Sequence, residues 1–295
     1  MKKSIFKITA FSIIAVLVVA LSVTAFALTA PGGKVTTTGD SVSYAKTNND
    51  NPYIVYNTTG LLRSAHRAGG VQDPENTMKA IKTCLNSMNG SDPYDVDILE
   101  FDLHLTKDNE LILLHDENFD RTTNSVEVWG REGVLPRDKD LAEIKELNFG
   151  YWFPYERGSV QVEDKRIYKD LNALPDEEAN DLRVVTLEEV ILAAEKAKKQ
   201  YRYIIEIKDK GSVGKYAAQQ LCTLMEKYNM FDKVVVGTFN GDISDYFDYL
   251  NANLYNGKIN RSAGILEVLK IFLSYLMNRD LGTVKYNVLQ IPYMS

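Results

Sequence analysis

The chain is poor in the residues that staple, chelate or switch. Among 295 residues there are only two cysteines, Cys84 and Cys222. They stand alone, each in a helix-like segment, so the reading of buried apolar residues is preferred to a disulfide or a metal site. An excess of positive charge is also missing. Lys and Arg number 34 against 40 Asp and Glu, a net charge of −6, and the pI is near 5.3. Nucleic acid selects basic surfaces and is therefore excluded as a general partner. No Gly-rich phosphate loop of the nucleotide-binding kind is present, so no nucleotide cofactor is indicated. What the chain does have, 45% hydrophobic and 25% charged residues, suffices for one globular core without metal or disulfide support.

Histidine is scarce, and its placement is informative. Of the three, His66 and His115 sit at the ends of apolar β-like runs, Leu61 to Ala65 and Leu111 to Leu114. A barrel enzyme puts its catalytic groups at such strand ends. Around them lie Ala65-His66-Arg67-Ala68-Gly69-Gly70, Pro74-Glu75-Asn76-Thr77, Glu100-Phe101-Asp102, His115-Asp116 and Phe119-Asp120-Arg121-Thr122-Thr123-Asn124, with Glu206-Ile207-Lys208 further on. Two imidazoles beside hard carboxylates suit metal-assisted attack on a phosphate ester.

These ordered blocks resemble the glycerophosphodiester phosphodiesterase family, over roughly Leu62 to Asn240. Ala68 stands where that family most often has Gly. The resemblance implies a TIM-type (βα)8 barrel of the phospholipase C-like phosphodiesterase kind. It also implies acid–base roles for the His66/His115 pair, with attack by the adjacent glycerol hydroxyl as one route, and an insertion that shapes the glycerol or head-group pocket.

The residues give their own account of the fold. From Leu61 onward, β-like runs alternate with helical patterns, the mark of an α/β domain with a mostly parallel sheet. Strands are expected at Leu61 to His66, Asp97 to Leu105, Glu110 to His115, Tyr201 to Lys208 and Lys233 to Phe239. Helices are expected at Asn76 to Asn86, before and after the fourth strand, at Asp242 to Leu250 and at Ile265 to Met277. Thr106 to Asn109 is too short for a parallel crossover, so the second and third strands must be joined irregularly. Residues 118–183, with three prolines and scattered charge, read as an insertion at the mouth of the site. After Asn240 only 55 residues remain, where three further βα units need about 90. The expectation is a barrel lacking its last βα unit, ending in a strand at Asn287 to Pro292, with a helix at Ile265 to Met277 that is apolar on nearly all sides.

The first 30 residues carry Lys2, Lys3 and Lys7, then an uncharged run of 23 residues from Ile8 to Ala30. That pattern is a signal peptide or an N-terminal membrane anchor and places the domain outside the cytoplasm, anchored or secreted. Residues 31–58, polar and small, read as a flexible tether, and residues 59–295 as the catalytic domain.

Strand periodicity places Glu100, Asp102 and His104 on one face of the second strand and Leu99, Phe101, Leu103 and Leu105 on the other. Inward carboxylates call for a cation or a basic partner. Glu100, Asp102 and Glu206 are the candidate metal ligands, and an all-oxygen set suits Mg²⁺ or Ca²⁺ better than Zn²⁺. The competing reading is an internal ion-pair cluster with Arg67 and Lys208. Arg67 and Lys208 are the candidate phosphate-binding groups, and Phe239 is placed against the glycerol moiety. His104 reads as pocket-lining or structural. Glu75 reads as a helix cap or as a group that orients His66 or Arg67. The expected activity is metal-dependent hydrolysis of glycerophosphodiesters to glycerol phosphate and an alcohol. Alternatives are action on lysolipids or lipid-linked surface polymers near a membrane, or an inactive barrel serving as a binding module.

Overall fold

The structure, a computed structural model, describes residues 62–86, 94, 96–154, 165–197, 199–277, 279–282 and 284–290. The expected signal or anchor segment at 1–30 and the tether at 31–58 lie outside these residues. No helix among the described residues is long and apolar enough to cross a membrane.

The sheet is built from β1 (Ser64–Ala65), β2 (Ile98–Leu105), β3 (Leu111–Leu113), β4 (Arg202–Ile207), β5 (Val234–Gly237) and β6 (Asn260–Arg261). Its order is β1-β2-β4-β5-β6, parallel throughout, with β3 paired to β2 off this path. Strand β3 runs antiparallel, with Leu103 opposite Leu113 and Leu105 opposite Leu111. The short Thr106 to Glu110 connection therefore makes a hairpin, as its length requires. Asn109 supplies its left-handed residue at φ +69°, and the Thr106 hydroxyl accepts from the Glu110 amide.

The helices are α1 (Met78–Asn86), α2 (Ser125–Trp129), α3 (Leu141–Ile144), α4 (Asp176–Asp181), α5 (Leu187–Glu195), α6 (Gly211–Lys227), α7 (Gly241–Asn253) and α8 (Ile265–Leu276), of which α1, α5, α6 and α7 pack on the main core. The apolar side of β2, Leu99, Phe101, Leu103 and Leu105, is fully buried with Ile205 and Ile207 of β4 against Leu187 and Val190 of α5 and Leu221 and Cys222 of α6. Neither cysteine is in a disulfide and both are buried, and burial pushes the Cys222 thiol up to about 12, which leaves it unreactive. This is an α/β fold of the barrel type.

The C-terminal part departs from the sequence reading. Strand β6 is absent from the sequence reading, because two polar residues carry no β pattern. Arg261 is nonetheless 4% exposed, its guanidinium held by Asp248 and Glu267. The strand expected at Asn287 to Pro292 reduces to one parallel bridge between Val288 and Ser262, with Ile291 and Pro292 outside the described residues. Nothing among the described residues pairs onward from Val288 to β1. The stretch from 118 to 183, read as an insertion, carries α2, α3 and α4 among its described residues. Phe119, Ile144, Leu147 and Phe149 in this stretch form a second core with Ile112, Leu114 and Val184. Edge-to-face contacts of Phe119 with Trp129 and Phe149 fix its packing.

Candidate active site

His66, His115, Lys208, Thr238 and Phe239 follow the C-terminal ends of strands, the end where barrel enzymes build their sites, while Glu100 and Asp102 project from within β2 and Glu206 from β4. His66 follows β1 directly, Lys208 follows β4, and Thr238 and Phe239 follow β5. The β2–β4 register sets Asp102 opposite Glu206. Together with Ser64, Glu100, His115, Ile204, Ser262, Ala263, Ile265, Val268 and Gln290, these residues enclose a cavity of about 540 Å³.

The turn after β1 is shaped by backbone constraints. Arg67, Ala68 and Asn76 all have positive φ, at +50°, +58° and +56°, and Gly69 has +95°. Ala68 occupies a conformation that Gly adopts at no steric cost. Gly70 is required for a different reason. A Cβ on it would lie 2.6 Å from the Glu75 Cβ, so its absence lets the Glu75 segment pack against this turn. Thr77 then caps α1, accepting from the Ala80 amide and donating to the Pro74 carbonyl at 2.7 Å.

Three carboxylates and one ammonium meet on the cavity floor. Lys208 Nζ lies 3.0 Å from Asp102 Oδ1 and 3.2 Å from Glu206 Oε2. Asp102, 2% exposed, also accepts from Asn76 Nδ2 at 3.4 Å. Glu100 accepts the Arg67 amide at 2.6 Å. Burial first, then the charges of Asp102 and Glu206, push the Glu100 carboxyl up to about 7, against the pull of that amide and Lys208. Burial raises Glu206 as well, with Lys208 opposing. The ion-pair reading thus holds for Lys208. Three carboxylates around one ammonium leave negative charge uncompensated, and the set is all oxygen, which suits a hard divalent cation. As they stand, no three such groups among the described residues surround a common point closely enough to hold an ion.

His115 and His66 face this floor from separate segments. Nδ1 of His115 is 2.7 Å from Asp116 Oδ1, so Nε2 is the nitrogen left to act. Arg121, absent from the sequence-derived site, holds Asp116 in turn. Its Nε and Nη2 donate to Asp116, and Nη1 and Nη2 donate to Glu75 at 3.0 and 2.6 Å. Burial opposes ionisation of Asp116, yet the bonds from His115 and Arg121 outweigh it and hold the carboxyl well below its usual range. The signal for Arg121 was its own block. Asp120 accepts from Ser125 and Gly133, Asn124 from the Asn148 amide, and Thr123 donates to the Phe119 carbonyl, so that block clamps the 118–154 segment while delivering Arg121.

Arg67 is not brought to the cavity floor. Its guanidinium turns to Glu75 at 3.1 and 3.2 Å, so Glu75 joins Arg67 and Arg121 and acts as a brace as well as a helix-start residue. His104 lies deep, its Nδ1 2.8 Å from Asp209, which also accepts the Leu105 amide, and it takes no part in lining the cavity. Phe239, 67% exposed, stands at the mouth with its ring 5.8 Å from Lys208 Nζ.

Comparison with known proteins shows what this chain is similar to. The model of the glycerophosphoryl diester phosphodiesterase family matches residues 66–257. A glycerophosphodiester phosphodiesterase of Caldanaerobacter subterraneus is 29% identical over 60% of this chain and 57% of its own length. One of Bacillus subtilis is 38% identical over 32% of this chain and 27% of its own. The chain thus spans little more than half the length of such relatives, or less. A solved structure, the glycerophosphoryl diester phosphodiesterase domain of an uncharacterized protein of Mycobacterium tuberculosis, superposes with a TM-score of 0.52 at 14% identity, covering 75% of this chain and 66% of that one, a likeness of fold.

Proposed function

Because the chain belongs to the glycerophosphoryl diester phosphodiesterase family, we propose that it hydrolyses glycerophosphodiesters to glycerol phosphate and an alcohol. The observation that carries the reading is the meeting of His66 and His115 over Glu100, Asp102, Glu206 and Lys208 in one cavity. Glu100, Asp102 and Glu206 would hold Mg²⁺ or Ca²⁺, whose charge, when bound, offsets that of the phosphoryl oxygens.

Lys208 uses two of its three N–H donors on Asp102 and Glu206 and keeps the third for a phosphoryl oxygen. Desolvation, then the neighbouring Arg67 charge, lowers the affinity of His66 for its proton. His66 is therefore neutral at pH 7 and suits the base that takes the proton of the attacking hydroxyl. His115, steadied by Asp116 and Arg121, delivers a proton from Nε2 to the leaving alcohol. Phe239 covers the glycerol end. Arg67 serves the site by fixing Glu75 rather than by touching phosphate.

The reading carries an extracytoplasmic location, anchored or secreted, which the lysines and apolar run of residues 2–30 support. His66→Ala and His115→Ala test the pair. Each is expected to cut turnover of glycerophosphocholine by roughly 10²–10⁴ with folding intact, and activity retained in either removes that residue from proton transfer.

A further inference from the structure

Strand β2 runs on past its pairing with β4, which ends at Leu103 and Ile207. The Lys208 amide still reaches the Leu103 carbonyl, at 3.1 Å. One residue later the Asp209 side chain takes over from the backbone. Its Oδ2 accepts the Leu105 amide at 2.7 Å, and its Oδ1 faces Nδ1 of His104 at 2.8 Å. Both side chains are largely withdrawn from solvent. Nε2 of His104 is buried and meets no hydrogen-bond partner among the described residues, so the ring makes one polar bond and passes no proton onward. Two other elements close on the same peptides. Asn240, after β5, donates through Nδ2 to the carbonyls of Lys208 and Asp209, each at 3.3 Å. Gly214 of α6 lies so near that a Cβ on it would strike the Asp209 carbonyl.

We propose that His104 and Asn240 are positioning residues for Lys208, His104 acting through Asp209. The proposal rests on the phosphodiesterase reading, in which Lys208 meets a phosphoryl oxygen. An ammonium is tetrahedral. Asp102 and Glu206 take two of its N–H directions, at 3.0 and 3.2 Å, and the stem takes another vertex. The direction from which the stem enters therefore decides where the remaining N–H aims. A lysine stem is flexible and does not set that direction by itself. Here the backbone that carries it is held from β2, β5 and α6 at once. The buried imidazole contributes by holding Asp209, which without it keeps only the Leu105 amide. A His104–Asp209 pair that served the fold alone would leave the grip on phosphate unchanged once the protein is folded.

The test is a double-mutant cycle in the affinity of the full chain for glycerol phosphate, measured by calorimetry in saturating Mg²⁺ or Ca²⁺. Lys208→Met should weaken binding roughly tenfold or more. His104→Leu keeps the buried site apolar and should weaken it roughly three- to tenfold, yet added to Lys208→Met it should weaken it no further. His104→Asn offers Asp209 a donor in place of Nδ1 and should bind as wild type does. Asn240 is only half-buried, so Asn240→Ala carries a second cycle with Lys208→Met that stands even if His104→Leu does not fold, and the same non-additive result is expected. Losses that multiply in either cycle, single variants that bind as tightly as wild type, or His104→Asn as weak as His104→Leu overturn the proposal and leave the phosphodiesterase reading standing. Turnover of glycerophosphocholine by wild type is measured beside them, and its absence overturns that reading and the proposal together.

Discussion

Glu100→Gln isolates the electrostatics of the cavity floor. In the fold the Glu100 carboxyl is raised from 4.5 to about 7, by burial first and then by Asp102 and Glu206. The folded-state value lies above the unfolded one, so the stability tied to its proton is fully present below about 4.5 and is lost as pH climbs to 7. Ionising Glu100 thus costs the cation-free fold about 3 kcal/mol by pH 8. Gln keeps an oxygen for the Arg67 amide and never ionises. The variant should therefore differ little from wild type at pH 4.5 and exceed it by up to about 3 kcal/mol at pH 8, a gain of roughly 6–12 °C in Tm for a domain of this size. Saturating Mg²⁺ or Ca²⁺ reverses the order, stabilising wild type by about 2.7 kcal/mol at a hundredfold excess over Kd and the variant much less. The assay is thermal unfolding from pH 4.5 to 8 with chelator or cation. A stability difference that stays flat across that range, or a cation that protects both proteins equally, would refute the reasoning.

Other perturbations follow from the same geometry. Lys208→Met strips the ammonium from Asp102 and Glu206 and should cost about 3 kcal/mol in denaturant unfolding under chelator, with divalent cation restoring more to the variant than to wild type. Arg121→Lys cannot fork between Glu75 and Asp116, so kcat for glycerophosphocholine should fall tenfold or more while KM moves little; an equal rise in KM would assign Arg121 to substrate binding instead. Gly70→Ala drives a methyl into Glu75 and should lower stability by roughly 1–3 kcal/mol together with kcat, whereas an unaltered enzyme would mean that the turn relaxes freely.

Much of the fold was legible because strong periodicities coincide with buried elements. Leu99, Phe101, Leu103 and Leu105 alternate with Glu100, Asp102 and His104, and the two faces of β2 separate as that alternation requires. The short link after Leu105, Thr106 to Glu110, forbade a crossover and became a hairpin. Strand β6 was invisible because its burial depends on Arg261 finding Asp248 and Glu267, contacts made across the fold and not by a local pattern. For the same reason the partners of Arg67 and Arg121 were not legible. Sequence gives the charge of a side chain at a strand end but not which of several carboxylates it meets, and Glu75 takes both. His104 shares a strand face with Asp102, yet Asp209 draws its ring away from the cavity.

The central claim is that this cavity performs cation-dependent diester hydrolysis. Its most direct test is the appearance of glycerol phosphate from glycerophosphocholine with the full chain in Mg²⁺, in Ca²⁺ and in chelator, beside Asp102→Asn. The account predicts release with at least one cation, loss of release in chelator, and at least a hundredfold loss in the variant. Release that continues undiminished in chelator, or in Asp102→Asn, would contradict it.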